Sequence, residues 1–163
     1  MALSHLLQKT HLFAGIDLAS LAPLESFTQR LVFEPGYNES LLVISAQESS
    51  GPDLYLVLDG TITLDQQTEG NGLAPNQAIA SLEEELFGEI SWLLQRPRLS
   101  DLYTHSRAVL LRIDGQKFNQ WLADHPEVAA TVWQRIARTL ANRLTCTFQE
   151  NQTHKQMAKL FNF

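Results

Sequence analysis

The sequence predicts an α+β domain in which an antiparallel β-barrel or jelly roll, the double-stranded β-helix arrangement, lies between N-terminal helices and a long C-terminal helix. Apolar residues recur at three- and four-residue spacing over residues 1–30 and again after residue 113, which is the period of amphipathic helices. Between these regions, short β-rich segments follow one another closely and are separated by turns that contain glycine or proline. With 163 residues, 44% of them hydrophobic, the chain has the size and composition of one folded domain.

Residues 1–30 are predicted to form short helices. Leu6 and Leu7 belong to the first helix, and the second begins after Asp17, whose short polar side chain is typical of an N-cap. Pro23 lies near the start of the second helix, where its missing N–H is harmless.

Residues 31–113 are predicted to form the β-roll. Asp59-Gly60 is typical of a two-residue hairpin turn and leads directly into the next strand. Residues 65–78 are rich in glycine and amide side chains, which indicates an exposed loop. The predicted strands are residues 31–34, 41–45, 54–58, 61–64, 79–82 and 108–113.

Residues 114–163 are predicted to be helical again. Asp114 is placed to cap a helix that carries Phe118, Trp121 and Leu122 on one face. Asp124 with Glu127 forms a capping-box pattern around a proline and predicts the start of the last helix.

The last helix carries an apolar stripe that repeats every four residues and extends for more than twenty residues, longer than one small barrel needs. The surplus predicts a homodimer through the same helix of a second subunit. The alternative, in which the stripe packs only on its own barrel, stays open. The stripe consists of Val128, Val132, Ile136, Leu140, Leu144 and Phe148.

The charge distribution argues against direct binding of nucleic acid. The net charge is −6, and residues 1–125 hold 16 acidic and 7 basic side chains. Such an acidic body repels phosphate backbones, and the five basic and two acidic residues of the last 38 positions do not reverse this. The longest apolar runs have five residues and no signal-peptide pattern is present, so we expect a cytoplasmic protein without membrane association.

Enzymatic motifs are scarce, and the sequence predicts neither an enzyme nor a bound cofactor or metal. The single cysteine, Cys146, excludes an intrachain disulfide and a multi-thiolate zinc site. The five histidines lack metal-binding spacing, and the nucleophile-elbow, Walker and Rossmann patterns are missing. Residues 83–85 and Glu89 could in principle hold a hard cation, but three consecutive carboxylates usually form a solvated turn.

Residues 87–101 (FGEISWLLQRPRLSD) carry the clearest binding chemistry. A short helix is predicted to begin there, and the backbone N–H groups of its first turn attract anions. Arg98 can clamp a phosphate with two hydrogen bonds, Gly88 permits close approach, and Glu89 can accept hydrogen bonds from a sugar hydroxyl. An internal salt bridge between Glu89 and Arg98, which would only fix the loop, is the alternative.

Phe-Gly-Glu at residues 87–89, followed after eight residues by Arg98 with Pro97 before it, resembles the phosphate-binding cassette of the cyclic nucleotide-binding domain family. This family includes the ligand-binding domains of the catabolite activator protein and of kinase regulatory subunits. The resemblance covers about residues 7–145, including the entry helices, the Pro35-Gly36 turn, the strand at residues 54–60 and the closing helices.

The resemblance implies a role for each cassette residue. Glu89 would hold the ribose 2′-hydroxyl and Arg98 the cyclic phosphate. The final helix would cover the base of cAMP or cGMP, with Thr139, Arg143 and Thr145 as candidate contacts. The remaining phosphate oxygens would be bound by the backbone of Gly88, Ile90, Leu99 and Ser100.

Two functions follow from this resemblance. The first is a stand-alone sensor, because these 163 residues are not expected to include a helix-turn-helix or catalytic domain. Nucleotide binding would order the cassette and shift the last helix, which signals to an effector protein. The second is a non-binding interaction module with Glu89 paired to Arg98. Leu99, Asp101 and the acidic run at residues 83–85 differ from the family's usual residues and favour the second function.

Overall fold

The computed structural model describes residues 2–45, 52–64, 77–80, 85–98 and 101–161. The helices are α1 (Leu3–Gln8), α2 (Leu18–Leu21), a 3₁₀ helix (Ala22–Phe27), α3 (Glu89–Leu94), α4 (Gly115–Asp124) and α5 (Pro126–Phe161). The strands are β1 (Thr28–Phe33), β2 (Leu41–Ile44), β3 (Leu54–Asp59), β4 (Ile62–Leu64), β5 (Gln77–Ala80), β6 (Leu86–Phe87), β7 (Leu102–Thr104) and β8 (Ala108–Ile113).

The strands form two antiparallel sheets of four strands each. The first sheet has the order β1-β8-β3-β6 and the second has the order β2-β7-β4-β5. Both sheets pair strands from distant parts of the chain, as in β3 against β8, while β4 and β5 are consecutive strands. This mixture of helices and antiparallel sheets confirms the predicted fold class.

The apolar residues between the two sheets form one core, called the roll core here. Both sheets contribute to it, which is expected when two antiparallel sheets pack face to face. Its buried members are Ile44, Tyr55, Val57, Ile62, Phe87, Leu102, Ala108 and Leu110.

A second core, called the helix-side core, lies on the other face of the first sheet. Successive residues of a strand point to opposite faces, so alternate residues of β3 and β8 enter this core. The N-terminal helices, α4 and the first half of α5 cover it. Its largest buried members include Phe13, Leu54, Leu56, Leu86, Trp92, Leu111, Phe118, Trp121 and Ile136.

The Asp59-Gly60 turn does not form the predicted hairpin. β3 belongs to the first sheet and β4 to the second, so the turn carries the chain from one sheet to the other. A bulge shifts the register between Val57 and Asp59 opposite β8, and bulges bend a strand and change its direction. The sequence predicted the turn correctly and its pairing wrongly.

The predicted strand positions agree with the structure, with shifts at their ends. β1 begins at Thr28, three residues before the predicted start. β5 spans Gln77–Ala80, so the last two residues of the loop predicted over residues 65–78 belong to this strand. Most of that loop, residues 65–76, lies outside the described residues.

Two of the three predicted helix caps are confirmed. The Asp17 carboxylate accepts a hydrogen bond from the Ser20 N–H at 2.9 Å, and Asp114 accepts from two N–H groups at the start of α4. The third cap is wrong, because Asp124 is the last residue of α4, where it accepts a hydrogen bond from the Gln120 amide. Helix α5 begins at Pro126 instead.

Helix α5 has 36 residues, and its apolar stripe divides into two parts. Val128, Val132 and Ile136 are buried in the helix-side core. Leu144 and Phe148 are 58% and 60% exposed. The first part therefore covers the domain's own sheet, and the second extends beyond it. Within the described residues, none of the helices is both long and apolar enough to cross a membrane.

Candidate functional site

The connection from β6 to α3 is built on Gly88. Its φ is +83°, a left-handed conformation that favours glycine, and the N–H of Trp92 donates to its carbonyl at 3.0 Å. A Cβ at this position would lie 2.5 Å from the Asp53 carbonyl oxygen. The close approach to β3 therefore requires glycine, and it places the first turn of α3 at the end of the first sheet.

The Arg98 guanidinium lies beside this turn. An ideal Cβ on Gly88 would be 3.2 Å from Arg98 Nη1, while Nη2 donates to the Asp53 carbonyl at 3.1 Å. The guanidinium carbon also stands 4.9 Å from the centroid of the Tyr55 ring, a cation–π distance. The structure thus brings together Gly88 and Arg98, as the sequence predicted. Among the described residues, the arginine is held by two neutral groups, the Asp53 carbonyl and the Tyr55 ring.

Glu89 is buried, with 2% of its surface exposed, and its carboxylate forms an ion pair with Arg143 of α5. The predicted alternative, an ion pair between Glu89 and Arg98, is therefore wrong, because the partner of Glu89 is Arg143. Arg143 also donates to the carbonyl oxygen of Leu86, immediately before the Gly88 turn. A single α5 side chain thus contacts both sides of this turn.

Asp53 fixes the start of β3 beside the site, a role that no local sequence motif indicated. Its carboxylate accepts hydrogen bonds from Arg112 at 2.6 Å and from the Gly115 N–H at 3.2 Å. This ties the start of β3 to β8 and α4, while the Asp53 carbonyl holds Arg98. The sequence does show opposite charges near the ends of two apolar strands, Asp53 before β3 and Arg112 in β8. Whether these two side chains contact each other depends on the register of the two strands, which the sequence does not reveal.

Stacked rings hold α3 in place. Trp92 is buried, its indole N–H donates to the Gly115 carbonyl at 3.1 Å, and its ring stacks on Trp133 of α5 at 5.2 Å between centroids. Helix α5 therefore contacts the α3 region through both an aromatic pair and the Arg143 ion pair.

Of the three α5 residues predicted to face a ligand, Arg143 contacts the cassette. The hydroxyls of Thr139 and Thr145 donate to carbonyls four residues earlier in the same helix. The Ile90 side chain is exposed, and its predicted contribution is through the backbone. Leu99 and Ser100 lie outside the described residues, as do Glu83 and Glu84.

Glu85, the described member of the acidic run, does not face Arg98. Its carboxylate accepts a hydrogen bond from the Leu12 N–H at 3.0 Å, between the N-terminal helices and β6. Burial raises the pKa of this carboxyl above its ordinary value of 4.5. In the part of the chain that the structure describes, histidine, cysteine, aspartate and glutamate do not form a group of three that could hold a metal ion.

Together these residues provide one cation, Arg98, beside the Gly88 turn and one carboxylate, Glu89, in the residue that follows this glycine. The Arg98 guanidinium suits a phosphate, since it offers parallel N–H donors in a fixed plane. The Glu89 carboxylate is an acceptor that suits hydroxyl or cationic groups, and Arg143 occupies it in this structure.

Comparison with known proteins agrees with this geometry. The family model for the cyclic nucleotide-binding domain matches residues 38–125, more than half of the chain and including all of the Gly88–Arg98 region. The "CRP-like cAMP-activated global transcriptional regulator" of Mycobacterium tuberculosis is 23% identical over 145 residues, which is 89% of this chain and 60% of the regulator. The cAMP-dependent protein kinase regulatory subunit of Dictyostelium discoideum is 24% identical over 115 residues, 70% of this chain and 34% of that protein. The chain thus spans about 60% of the one relative and a third of the other.

Solved structures share the fold. A cyclic nucleotide-binding domain from Methylobacillus flagellatus superimposes with a TM-score of 0.65 at 19% identity, covering 90% of this chain and 78% of that one. This likeness confirms the jelly-roll fold with flanking helices.

Proposed function

Because the chain belongs to the cyclic nucleotide-binding domain family, we propose that it is a regulatory module that binds a cyclic nucleoside monophosphate in the β-roll and signals through α5. The observation that carries this proposal is the Arg98 guanidinium, which lies beside Gly88 and whose contacts in the described part of the chain are with two neutral groups, so its charge can pair with a phosphate. Buried or half-buried arginines without a carboxylate partner are costly, and an anionic ligand would remove that cost.

In this proposal, the cyclic phosphate binds Arg98 and the backbone of Gly88, Ile90, Leu99 and Ser100. Glu89 accepts a hydrogen bond from the ribose 2′-hydroxyl. The two curated relatives are named as cAMP-activated and cAMP-dependent, which supports cAMP as the first ligand to test, with cGMP as the comparison.

The signal would pass through Arg143. This side chain binds Glu89 and the Leu86 carbonyl and so links α5 to the cassette. A ribose hydroxyl that donates to Glu89 would compete with Arg143 for this carboxylate and weaken the link. A ligand shifts a conformational equilibrium only by its differential affinity for the two states, and competition for one carboxylate supplies such a difference. An effector protein would then bind the displaced helix.

The exposed second part of the α5 stripe supports assembly as a homodimer. Leu144 and Phe148 are four residues apart on one helix face and both are more than half exposed. Pairing with the same helix of a second subunit would bury both residues on each chain.

The Arg143–Glu89 ion pair also favours a second function, that of a non-binding interaction module. Here Arg143 permanently satisfies Glu89, the cassette is structural, and α5 serves only for assembly. The two functions differ in whether Arg98 binds the phosphate group of a ligand.

Isothermal titration with cAMP and with cGMP tests the proposal on three proteins, namely wild type, Arg98→Ala and Arg30→Ala. Arg30 is an exposed arginine of β1, remote from the cassette in the fold, so it controls for the loss of one charge. We expect wild type and Arg30→Ala to bind alike and Arg98→Ala to bind at least roughly tenfold more weakly, since a charge-assisted contact is worth about 1.5–3 kcal/mol.

Absence of heat and of any thermal shift at millimolar nucleotide, with folded wild-type protein, would reject nucleotide binding and support the interaction module. Equal binding by wild type and Arg98→Ala would show that the nucleotide does not use the proposed cassette.

A further inference from the structure

A cleft of about 460 Å³ lies outside the β-roll, between the segment that follows α1, the start of β6 and α5. This volume is sufficient for a small metabolite. The residues that line it are His11, Leu12, Ala14, Glu85, Leu86, Arg135, Arg138, Thr139 and Asn142.

This cleft is on the opposite side of β6 from the roll interior. Leu86, which lines the cleft, belongs to the helix-side core, while the next residue, Phe87, belongs to the roll core. The alternation of side chains along a strand separates the two faces. A molecule in the cleft therefore does not contact the roll core, where the nucleotide of the proposed function would bind.

The cleft carries more cationic than anionic groups. Arg135 and Arg138 are one helical turn apart, so their side chains project from the same face of α5. Arg135 Nη1 donates to the Leu12 carbonyl at 3.0 Å, which holds this guanidinium against the N-terminal segment. The side chains of Arg138, His11 and Asn142 also line the cleft, and their guanidinium, imidazole and amide groups can each donate a hydrogen bond.

Glu85 adds an acceptor inside the cleft. One of its oxygens accepts from the Leu12 N–H at 3.0 Å, and the His11 backbone N–H also interacts with this carboxylate. A carboxylate has about four acceptor positions, so Glu85 can accept from a further donor. A purely anionic ligand would be repelled by this carboxylate, whereas one that carries hydroxyl groups as well as an anionic end could satisfy both parts of the site.

We propose that this cleft is a second ligand site, distinct from the cassette, which binds a small hydroxylated phosphate ester of the sugar-phosphate class. The phosphate group would be bound by Arg138 with His11 and Asn142 beside it. The hydroxyl groups would donate to Glu85. Arginine suits the phosphate because its guanidinium can make two parallel hydrogen bonds to the phosphate oxygens.

Titration with glucose 6-phosphate, followed by the amide NMR signals of the protein, tests this site. Glucose and inorganic phosphate are titrated separately, because each carries one half of the proposed recognition. The proteins are wild type, Arg138→Ala, the surface control Arg30→Ala and the cassette variant Arg98→Ala. We expect glucose 6-phosphate to shift the amide signals of Leu12, Leu86 and Asn142 in wild type, with saturation. Arg30→Ala and Arg98→Ala should bind with unchanged affinity, and Arg138→Ala at least about tenfold more weakly.

Three results would overturn the proposal. The first is the absence of saturable shifts in folded wild type, and the second is equal affinity in Arg138→Ala. The third is binding of inorganic phosphate as tight as that of the ester, which would reject a role for hydroxyl recognition. Cyclic nucleotide binding, measured on the same samples, separates this site from the proposed function, since it should be lost in Arg98→Ala and kept in Arg138→Ala.

Discussion

The carboxylate of Glu89 on α3 is ion-paired with the guanidinium of Arg143 on α5, across 54 positions of the chain. Glu89 has 2% and Arg143 has 19% of its side-chain surface exposed, so water screens the pair little. Because Arg143 also donates to the Leu86 carbonyl, this one side chain links α5 to the residues on both sides of the Gly88 turn. The position of the last helix is thus tied chemically to the cassette.

Removing Arg143 should destabilise the fold, because it leaves the Glu89 carboxylate buried without its cation. We expect Arg143→Met to lower the free energy of unfolding by about 3 kcal/mol, near the lower end for breaking a buried pair. Adding Glu89→Gln should recover at least half of this loss, since the double variant no longer buries a charge. Urea denaturation of the two single variants and the double variant gives the coupling energy.

Arg107 provides the control for this experiment. It pairs with Glu34 and Asp59, but its side chain is 52% exposed. Arg107→Met should therefore cost only about 0–1 kcal/mol. If Arg143→Met cost no more than Arg107→Met, the ion pair to Glu89 would not hold α5 in solution.

Gly88→Ala should disturb both the fold and the cassette. The left-handed backbone alone costs an alanine about 1–2 kcal/mol, and the added methyl group would lie 2.5 Å from the Asp53 carbonyl oxygen that holds Arg98. We expect a loss of about 3 kcal/mol or more in the free energy of unfolding, together with weaker nucleotide binding.

Gly15→Ala separates the two causes. Gly15 has a similar φ of +75°, but a Cβ there would have no atom within 4 Å. Its substitution should cost about 1–2 kcal/mol, from the left-handed backbone alone. Equal losses in the two variants, measured by thermal or urea unfolding, would mean that the contact with Asp53 is relieved at little cost.

The sequence predicted the parts of this fold that local chemistry determines. The caps at Asp17 and Asp114, the Gly88 turn and the apolar face of α4 all depend on residues within four positions of one another. The prediction of a hairpin at Asp59-Gly60 was wrong, because the pairing of β3 depends on a bulge opposite β8, more than forty positions away. Local turn residues indicate that a chain reverses, but not which strand it then joins.

The candidate site shows the same division. Gly88, Glu89 and Arg98 could be predicted because the motif is local. The partners of these residues could not, since Asp53 and Arg143 reach them over distances of 45 and 54 positions. An ion pair between Glu89 and Arg98 was plausible from their spacing. In the folded chain Glu89 is buried and forms its ion pair with Arg143 of α5 instead.

The two parts of the α5 stripe should respond differently to charge. Leu144→Glu combined with Phe148→Glu places charges at exposed positions, so the variant should keep the melting temperature of the wild-type monomer fold within a few degrees. If α5 forms the proposed dimer, sedimentation velocity should show wild type as a dimer and this variant as a monomer.

Ile136→Glu is the matched control, since Ile136 belongs to the same stripe but is 1% exposed in the helix-side core. It should unfold the domain rather than only separate subunits, because it buries an unpaired charge. A wild type that sediments as a monomer at all concentrations would reject the dimer.

Glu85 and Glu25 should give opposite dependences of stability on pH. Burial raises the pKa of Glu85, against the influence of the Leu12 N–H and the nearby His11, so the folded state favours its protonated form. Its favourable contribution is therefore present below its ordinary pKa of 4.5 and is lost as the pH rises through the raised folded value. Hydrogen bonds from Ser4 lower the pKa of Glu25, so its contribution is present above its ordinary value of 4.5 and is lost as the pH falls.

Urea unfolding of Glu85→Gln and Glu25→Gln between about pH 3 and pH 8 tests this contrast. Glutamine keeps an acceptor for the Leu12 N–H, and it cannot ionise. Relative to wild type, Glu85→Gln should gain stability as the pH rises toward neutral, and Glu25→Gln should lose it, while both differences shrink at the acidic end. His11, Arg135 and Arg138 line the same cleft as Glu85, and His11 opposes the effect of burial on the Glu85 pKa. A Glu85→Gln variant that is less stable than wild type at neutral pH would show that the carboxylate is ionised at no cost in its site.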